Sequence, residues 1–123
     1  MISRKRARRK VSGGLYKAAR KKRKSEYAGY PTSPKVGQMK RRSDRVLGGN
    51  VKRRVLSADT IYAFDGKTHI KAKIKYAVEN PANRNFARMN ILTKGAIVDT
   101  DKGKIRITSR PGQCGSLCGV LVK

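Results

Sequence analysis

A chain of 123 residues has room for one domain of ordinary size, and its 32 Lys and Arg against 7 Asp and Glu give a formal charge of +25. Self-repulsion on that scale opposes compaction unless a polyanion supplies the missing charge, so electrostatics alone implies a partner. No run approaches the roughly 18 consecutive apolar residues of a membrane span, and Met1 to Lys10 lacks the apolar segment of a secretory signal, so an intracellular chain with no membrane partner is expected.

The charge is uneven. Residues 1–60 carry 20 basic and 3 acidic side chains, net +17, whereas residues 61–123 carry 12 and 4, net +8. Apolar residues are sparse before Val46, so a core must come mainly from the second half. The expected organisation is a basic extension over 1–45, disordered when free, followed by a folded domain over 46–123.

Within the extension, twelve of the first 24 residues are Lys or Arg and none is acidic. Ser12-Gly13-Gly14 interrupts the charge with a flexible joint, and Tyr30-Pro31-Thr32-Ser33-Pro34 reads as extended or turned chain. Between them, Lys17 to Tyr27 is a candidate to become helical on binding. Tyr16, Tyr27 and Tyr30 punctuate the charge and are equally suited to stacking on bases or to packing. The run Arg20 to Lys24 could serve as an import signal, a membrane-surface patch or a clamp on a nucleic-acid backbone. It lacks the broad apolar face that lipid requires, which leaves RNA or DNA.

From Val46 onward short runs of Val, Ile and Thr are punctuated by Gly, Asn, Pro and Asp, which is strand and turn composition. The fold class is therefore all-β, a small barrel or a strongly twisted antiparallel sheet carrying a basic, extended N-terminal segment. The clearest strand is His69 to Glu79, where Ile70, Ala72, Ile74, Tyr76 and Val78 alternate with Lys71, Lys73 and Lys75. Asp65-Gly66 predicts a two-residue type I′ hairpin joining it to a strand in Val51 to Phe64. That register opposes residues whose numbers sum to 131, Ile61 with Ile70 and Val55 with Tyr76. It also sets Asp59 opposite Ala72, a mismatch that a β-bulge between Ser57 and Thr60 would relieve.

Further strands are expected at Phe86 to Thr93, Ala96 to Thr100, Lys104 to Ser109 and Leu117 to Val122, with a tight turn at Asp101-Lys102-Gly103. Strand alternation then sorts the loops. Both tight turns fall at one end; Gly48-Gly49-Asn50, Asn80 to Arg84 and Ser109 to Gln113 fall at the other, where the basic extension also enters.

Catalytic and metal readings are weak. Gly66-Lys67-Thr68 resembles the end of a phosphate-binding loop, but Ile61 stands where that motif needs glycine. Asp99 and Asp101 flank a tight turn, and His69 has no evident Ser or Cys partner, so it reads as a surface or packing residue. Two Cys and one His fall short of a structural zinc site. In extended chain, Cys114 and Cys118 would lie about 13 Å apart, beyond disulfide reach, so they read as buried, inert thiols. No cofactor, metal or small-molecule substrate is expected.

The loops carry a more specific signal. Ser12-Gly13-Gly14, Arg20-Lys21-Lys22-Arg23-Lys24, Gly48-Gly49-Asn50, Asn80-Pro81-Ala82-Asn83-Arg84, Thr93-Lys94-Gly95-Ala96-Ile97 and Thr108-Ser109-Arg110-Pro111-Gly112-Gln113 occur in an order and spacing that resembles the small-subunit ribosomal protein eight family of archaea and eukaryotes, across most of residues 12–122. The compact length resembles the archaeal form. Gly29, Pro34, Met89 and Cys114 depart from the family pattern, which bears on individual contacts. The resemblance implies a non-enzymatic constituent of the small subunit in the cytoplasm, with a β-barrel-like domain and basic extensions lying on small-subunit ribosomal RNA beside neighbouring ribosomal proteins.

The expected RNA contacts are Arg4, Lys5, Arg6, Arg8, Arg9, Lys10, Ser12, Gly13, Gly14, Arg20, Lys21, Lys22, Arg23 and Lys24 in the extension. Lys40, Arg41, Arg42, Arg45, Gly48, Gly49, Asn50, Lys52 and Arg53 follow, then Asn83, Arg84, Arg88, Lys94, Arg110 and Gln113. Lys and Arg neutralise phosphate, Asn83 and Gln113 offer donors and acceptors, and Gly48, Gly49 and Gly112 permit close backbone approach; the Gly and Asn positions also read as ordinary turn residues. The alternatives from other classes are a chromatin-like DNA-compacting protein and a metal-dependent nuclease using Asp99 and Asp101.

Overall fold

The computed structural model describes residues 7, 9–17, 20, 21, 23–27 and 29–122. It divides into two units, residues 1–31 and 32–123. Thus residues 32–45, which composition joins to the basic extension, belong to the β-rich unit. Too few of their side chains are apolar to form a core of their own; Val36 and Met39 pack against the hydrophobic core, and the two short strands they form pair with the strand over residues 51–58.

In the first unit, the Ser12-Gly13-Gly14 joint forms part of a closed turn. The Lys10 N–H donates to the Gly14 carbonyl at 2.8 Å, and Gly13 N–H donates back to the Lys10 carbonyl at 3.0 Å. Gly13 takes φ +84°, which glycine adopts without steric cost, and Arg9 and Leu15 form an antiparallel bridge across the turn. The stretch read as a bound-state helix holds, among its described residues, a single 3-10 turn at Lys24–Glu26. Glu26 fixes that turn by accepting from the Arg23 N–H at 3.1 Å and pairing with Arg20. Arg4, Lys5, Arg6, Arg8 and Lys22 lie outside the described residues.

The second unit contains β1 (Lys35–Val36), β2 (Lys40–Arg45), β3 (Val51–Ala58), β4 (Thr60–Phe64), β5 (His69–Glu79), α1 (Arg84–Arg88), β6 (Ile97–Thr100), β7 (Gly103–Ile107) and β8 (Cys118–Leu121). Strands β4 to β8 close into a five-stranded barrel in chain order, and β1, β3 and β2 form a separate three-stranded sheet. The barrel is antiparallel except where β8 meets β4 in parallel.

The expected run from Val51 to Phe64 changes sheet at Asp59, near the anticipated bulge. Val55 and Ala58 are both buried, three residues apart, so inward alternation restarts before Ile61 and Ala63. Asp59 leaves the ladder, and its carbonyl accepts from Ile74 N–H at 2.8 Å. Val55 consequently pairs with Arg41, not with Tyr76.

The β4–β5 register also differs from expectation. Thr60 opposes Lys73, Ile61 opposes Ala72 and Phe64 opposes His69, a two-residue slip. Asp65 to Thr68 form a four-residue loop in place of the two-residue turn, with Asp65 N–H donating to the Thr68 carbonyl and Gly66 at φ +90°. A slip of two preserves the inward face, so Ile61 still meets an apolar partner, Ala72 in place of Ile70.

Strand β5 spans the expected residues, but its alternation fails halfway. Pairing with β6 shifts between Ile74 and Tyr76. Beyond the shift Ala77 turns inward, while Tyr76 and Val78 are 51% and 41% exposed instead of lining the dry face.

A strand expected over Phe86 to Thr93 is replaced by α1 and a turn. The Asn83 side-chain oxygen accepts from Asn85 N–H at 2.9 Å, an N-cap that starts the helix, and Asn90 at φ +52° ends the turn after it. Ile91 and Leu92 then enter the core, with Leu92 N–H donating to the Pro34 carbonyl at 2.8 Å. The last three strands fall where alternation placed them to within about two residues, and Thr100 pairs with Gly103 across Asp101-Lys102.

Ile61, Leu92, Val98, Ile105, Ile107 and Leu117 are the large side chains at the centre, with Val55 packed against them from β3. Cys114 and Cys118 are free thiols, as expected, but exposed and not buried. Leu117, just before β8, and Gly119 within it take the inward positions and leave Cys118 outside; Cys114 sits in a turned segment, not in extended chain.

Candidate nucleic-acid interface

Strand direction carries the long β5–β6 and β7–β8 connections to one end of the barrel and the two tight turns to the other. For these two connections the sorting survives the loss of the Phe86 to Thr93 strand because β5 and β6 are antiparallel neighbours whatever lies between them; Gly48-Gly49-Asn50, expected at the same end, instead caps the β2–β3 hairpin of the separate sheet. Charge follows the same division. Residues 80–96 carry Arg84, Arg88 and Lys94 without an acidic side chain, and residues 108–117 carry Arg110 without one. At the tight-turn end, Asp65 balances Lys67 and Asp101 balances Lys102.

Hydrogen bonds tie the long connections together. Gly95 N–H donates to the Ile107 carbonyl at 2.7 Å, and Val55 N–H donates to the Pro111 carbonyl at 2.9 Å. A Cβ at Gly115 would stand 3.0 Å from the Arg53 Cβ, and one at Gly112 would stand 2.9 Å from Thr32 Oγ1. Arg53 thus lies beside the β7–β8 connection, and Arg84, Arg88, Lys94 and Arg110 belong to the two connections at this end of the barrel; all five are exposed. Lys35, missing from the sequence-based set, joins them through its bridge to Ile91. Its nearest signal was Pro34-Lys35-Val36, too short to read as a strand.

The Asn80 to Arg84 segment divides its roles. Asn80 is buried, its Nδ2 donating to the Ile91 carbonyl at 3.0 Å and its Oδ1 accepting from Thr93 Oγ1 at 2.8 Å and Ala82 N–H at 3.1 Å. Asn83 spends its oxygen on the α1 cap, so its amide NH2 is what it can offer outward. Gln113 is exposed.

The second cationic feature is the β2–β3 hairpin. Its tip is the 3-10 turn Leu47–Gly49, with Gly48 and Gly49 at φ +77° and +75°, closed by Val46 N–H donating to the Asn50 carbonyl at 2.7 Å. Both glycines therefore serve the turn. The tip stands five residues beyond Val55, roughly 16 Å of extended strand, and Leu47 there is 97% exposed. Lys40, Arg41, Arg42, Arg45, Lys52, Arg53 and Arg54 line this arm against one carboxylate, Asp44.

In the N-terminal unit Arg9, Lys10, Arg20, Lys21, Arg23 and Lys24 are exposed. Arg9 Nη1 donates to the Gly13 carbonyl at 2.8 Å, and Lys10 Nζ lies 5.8 Å from the centre of the Tyr16 ring. Asp101, weighed above as a metal ligand, accepts from Lys73 N–H at 2.9 Å and so fastens a turn. His69 packs on Phe64, ring centres 5.1 Å apart. No group of three or more potential metal ligands occurs among the described residues.

Fold and charge together define a small, strongly basic β-barrel protein with one cationic end and a cationic arm. The chain belongs to the ribosomal protein S8e family, whose model matches residues 3–122. It is similar to the small ribosomal subunit protein eS8 of Nanoarchaeum equitans, 52% identical over 94% of this chain and 92% of that one. The proteins of the same name from Methanocella arvoryzae and Methanocorpusculum labreanum are 45% and 42% identical, each over at least 93% of both chains.

Proposed function

We propose that this protein is a structural constituent of the small ribosomal subunit, where it neutralises and braces ribosomal RNA beside neighbouring ribosomal proteins. Three surfaces carry the contact: the segment before Thr32, the β2–β3 arm, and the loop end of the barrel. The observation that carries the reading beyond family membership is the segregation of charge. The two long connections carry Arg84, Arg88, Lys94 and Arg110 against one adjoining carboxylate, Glu79, which shares a cleft with Arg84, whereas each tight turn sets one acidic residue beside one lysine. Such a surface gains affinity by releasing counterions from phosphate and little sequence information, which suits an RNA whose shape is fixed by its own pairing. The barrel supplies a rigid mount; the segment before Thr32 orders on the RNA, at a cost that binding offsets.

Sedimentation tests this directly. The protein is expected to co-migrate with small subunits through moderate salt, and crosslinks from Arg84, Arg110 and the arm are expected to map to small-subunit RNA. Recovery only with DNA would support a compacting protein instead.

A further inference from the structure

On the arm, β2 and β3 place two arginines directly opposite one another, Arg42 against Arg54. Like charges in that position repel and would splay the hairpin. Asp44, two residues along the same face, meets both. Arg42 reaches it as a fork, Nε to Oδ1 at 2.9 Å and Nη2 to Oδ2 at 3.0 Å, while Arg54 Nε lies 2.9 Å from Oδ2. Asp44 is the single acidic residue between Lys40 and Arg54.

We infer that Asp44 is a positioning residue that holds Arg42 and Arg54 as a paired guanidinium clamp for a phosphodiester of RNA. A guanidinium has five N–H donors in a rigid fork. Asp44 accepts a hydrogen bond from Arg42 Nη2 and pairs by charge with Nε of both arginines; the Arg54 Nε is buried and its N–H is not aligned on the carboxylate, so Asp44 holds Arg54 by ion pairing, and the remaining Nη donors of both side chains are not engaged by Asp44. Arg42 stays 54% exposed and Arg54 27%, so a phosphate can reach the pair. Pre-ordering two long side chains removes rotamer entropy that binding would otherwise cost, and bidentate arginine is the geometry that suits phosphate. The triad keeps a net charge of +1, so the carboxylate organises the site without cancelling it. This inference rests on the RNA-binding reading above and deepens it.

The test uses the full chain and deproteinised small-subunit RNA. Bulk electrostatics says that Asp44→Asn, which raises the net charge, tightens binding. Positioning says the reverse: Asp44→Asn weakens binding roughly tenfold, the scale of one charge-assisted hydrogen bond. Replacing Arg42 and Arg54 together by Lys keeps the charge but loses the fork, and it is expected to weaken binding similarly. The double Ala variant is expected to flatten the log-log salt dependence by about 0.7–0.9 for each phosphate released. An arginine pair that merely stiffened the arm would leave that slope unmoved. Tighter or unchanged binding in Asp44→Asn, an unmoved slope in the double Ala variant, or loss of arm amide protection in Asp44→Asn accounting for its weaker binding would each overturn the clamp. Failure of the unmutated chain to prefer this RNA over DNA of equal length would instead overturn the broader reading, and the clamp with it.

Discussion

At Gly119 the barrel wall has no space for a side chain. A Cβ there would stand 2.5 Å from Ile105 Cγ2 and 2.7 Å from the Arg106 carbonyl, contacts that neither a core isoleucine nor a paired backbone can relieve. Gly119→Ala is therefore expected to destabilise the β unit by about 1–3 kcal/mol, read as a lower denaturant midpoint with an unchanged slope. Asn80 makes the complementary case for a polar group. Asn80→Ala would strand the Thr93 hydroxyl, the Ala82 N–H and the Ile91 carbonyl, at about 1–3 kcal/mol for each one left buried without water. The same unfolding titration reads it. In the sequence Asn80 reads together with Asn83 and Arg84 as one recognition segment, because burial of an amide has no local signal in a Gly-, Pro- and Asn-rich loop.

Among elements, legibility tracks the range of the interaction that makes each one. Strand β5 and the strands β6 to β8 are visible because alternation is local, and the tight turns because Asp and Gly mark them. Tyr76 and Val78 are misplaced by alternation because the shift after Ile74 arises from pairing with β6, more than twenty residues away in sequence. Strands β1 and β2 are unreadable for a related reason: Lys40 to Arg45 contains no apolar residue, and it becomes a strand only because β3 offers it an edge. Helix α1 escapes the pattern because its signal is one capping residue over a five-residue turn. The loop end is nonetheless predictable from strand direction, and it carries a prediction at this scale. Replacing Arg84, Arg88, Lys94 and Arg110 with Ala is expected to cost RNA affinity and salt slope together, by up to about 0.9 in slope for each phosphate that is no longer neutralised. Replacing Lys67 and Lys102 at the other end is expected to change neither appreciably. Filter binding at several salt concentrations measures both sets.

For the whole molecule the governing quantity is the charge of +25 on a chain whose described residues include only seven large, fully buried side chains. Repulsion among exposed Lys and Arg opposes a core of that size, and salt screens it over roughly 10 Å at 0.1 M. Two consequences separate the units. The free protein is expected to melt at a higher temperature as salt rises from low to moderate, and to gain further on binding RNA, because RNA selects the folded state. Replacing Lys21, Lys22 and Arg23 with Ala acts on the first unit, where no described residue is part of the barrel core. The triple variant should therefore keep the melting transition of the β unit in the absence of RNA, or raise it slightly at low salt. In the presence of small-subunit RNA it should bind more weakly, show a flatter salt dependence and recover less of the RNA-induced rise in melting temperature. A parallel pair of melts, with and without RNA, decides the matter. Equal RNA-induced rises in variant and parent would remove the anchoring role from that run and leave the arm and the loop end to carry the binding alone.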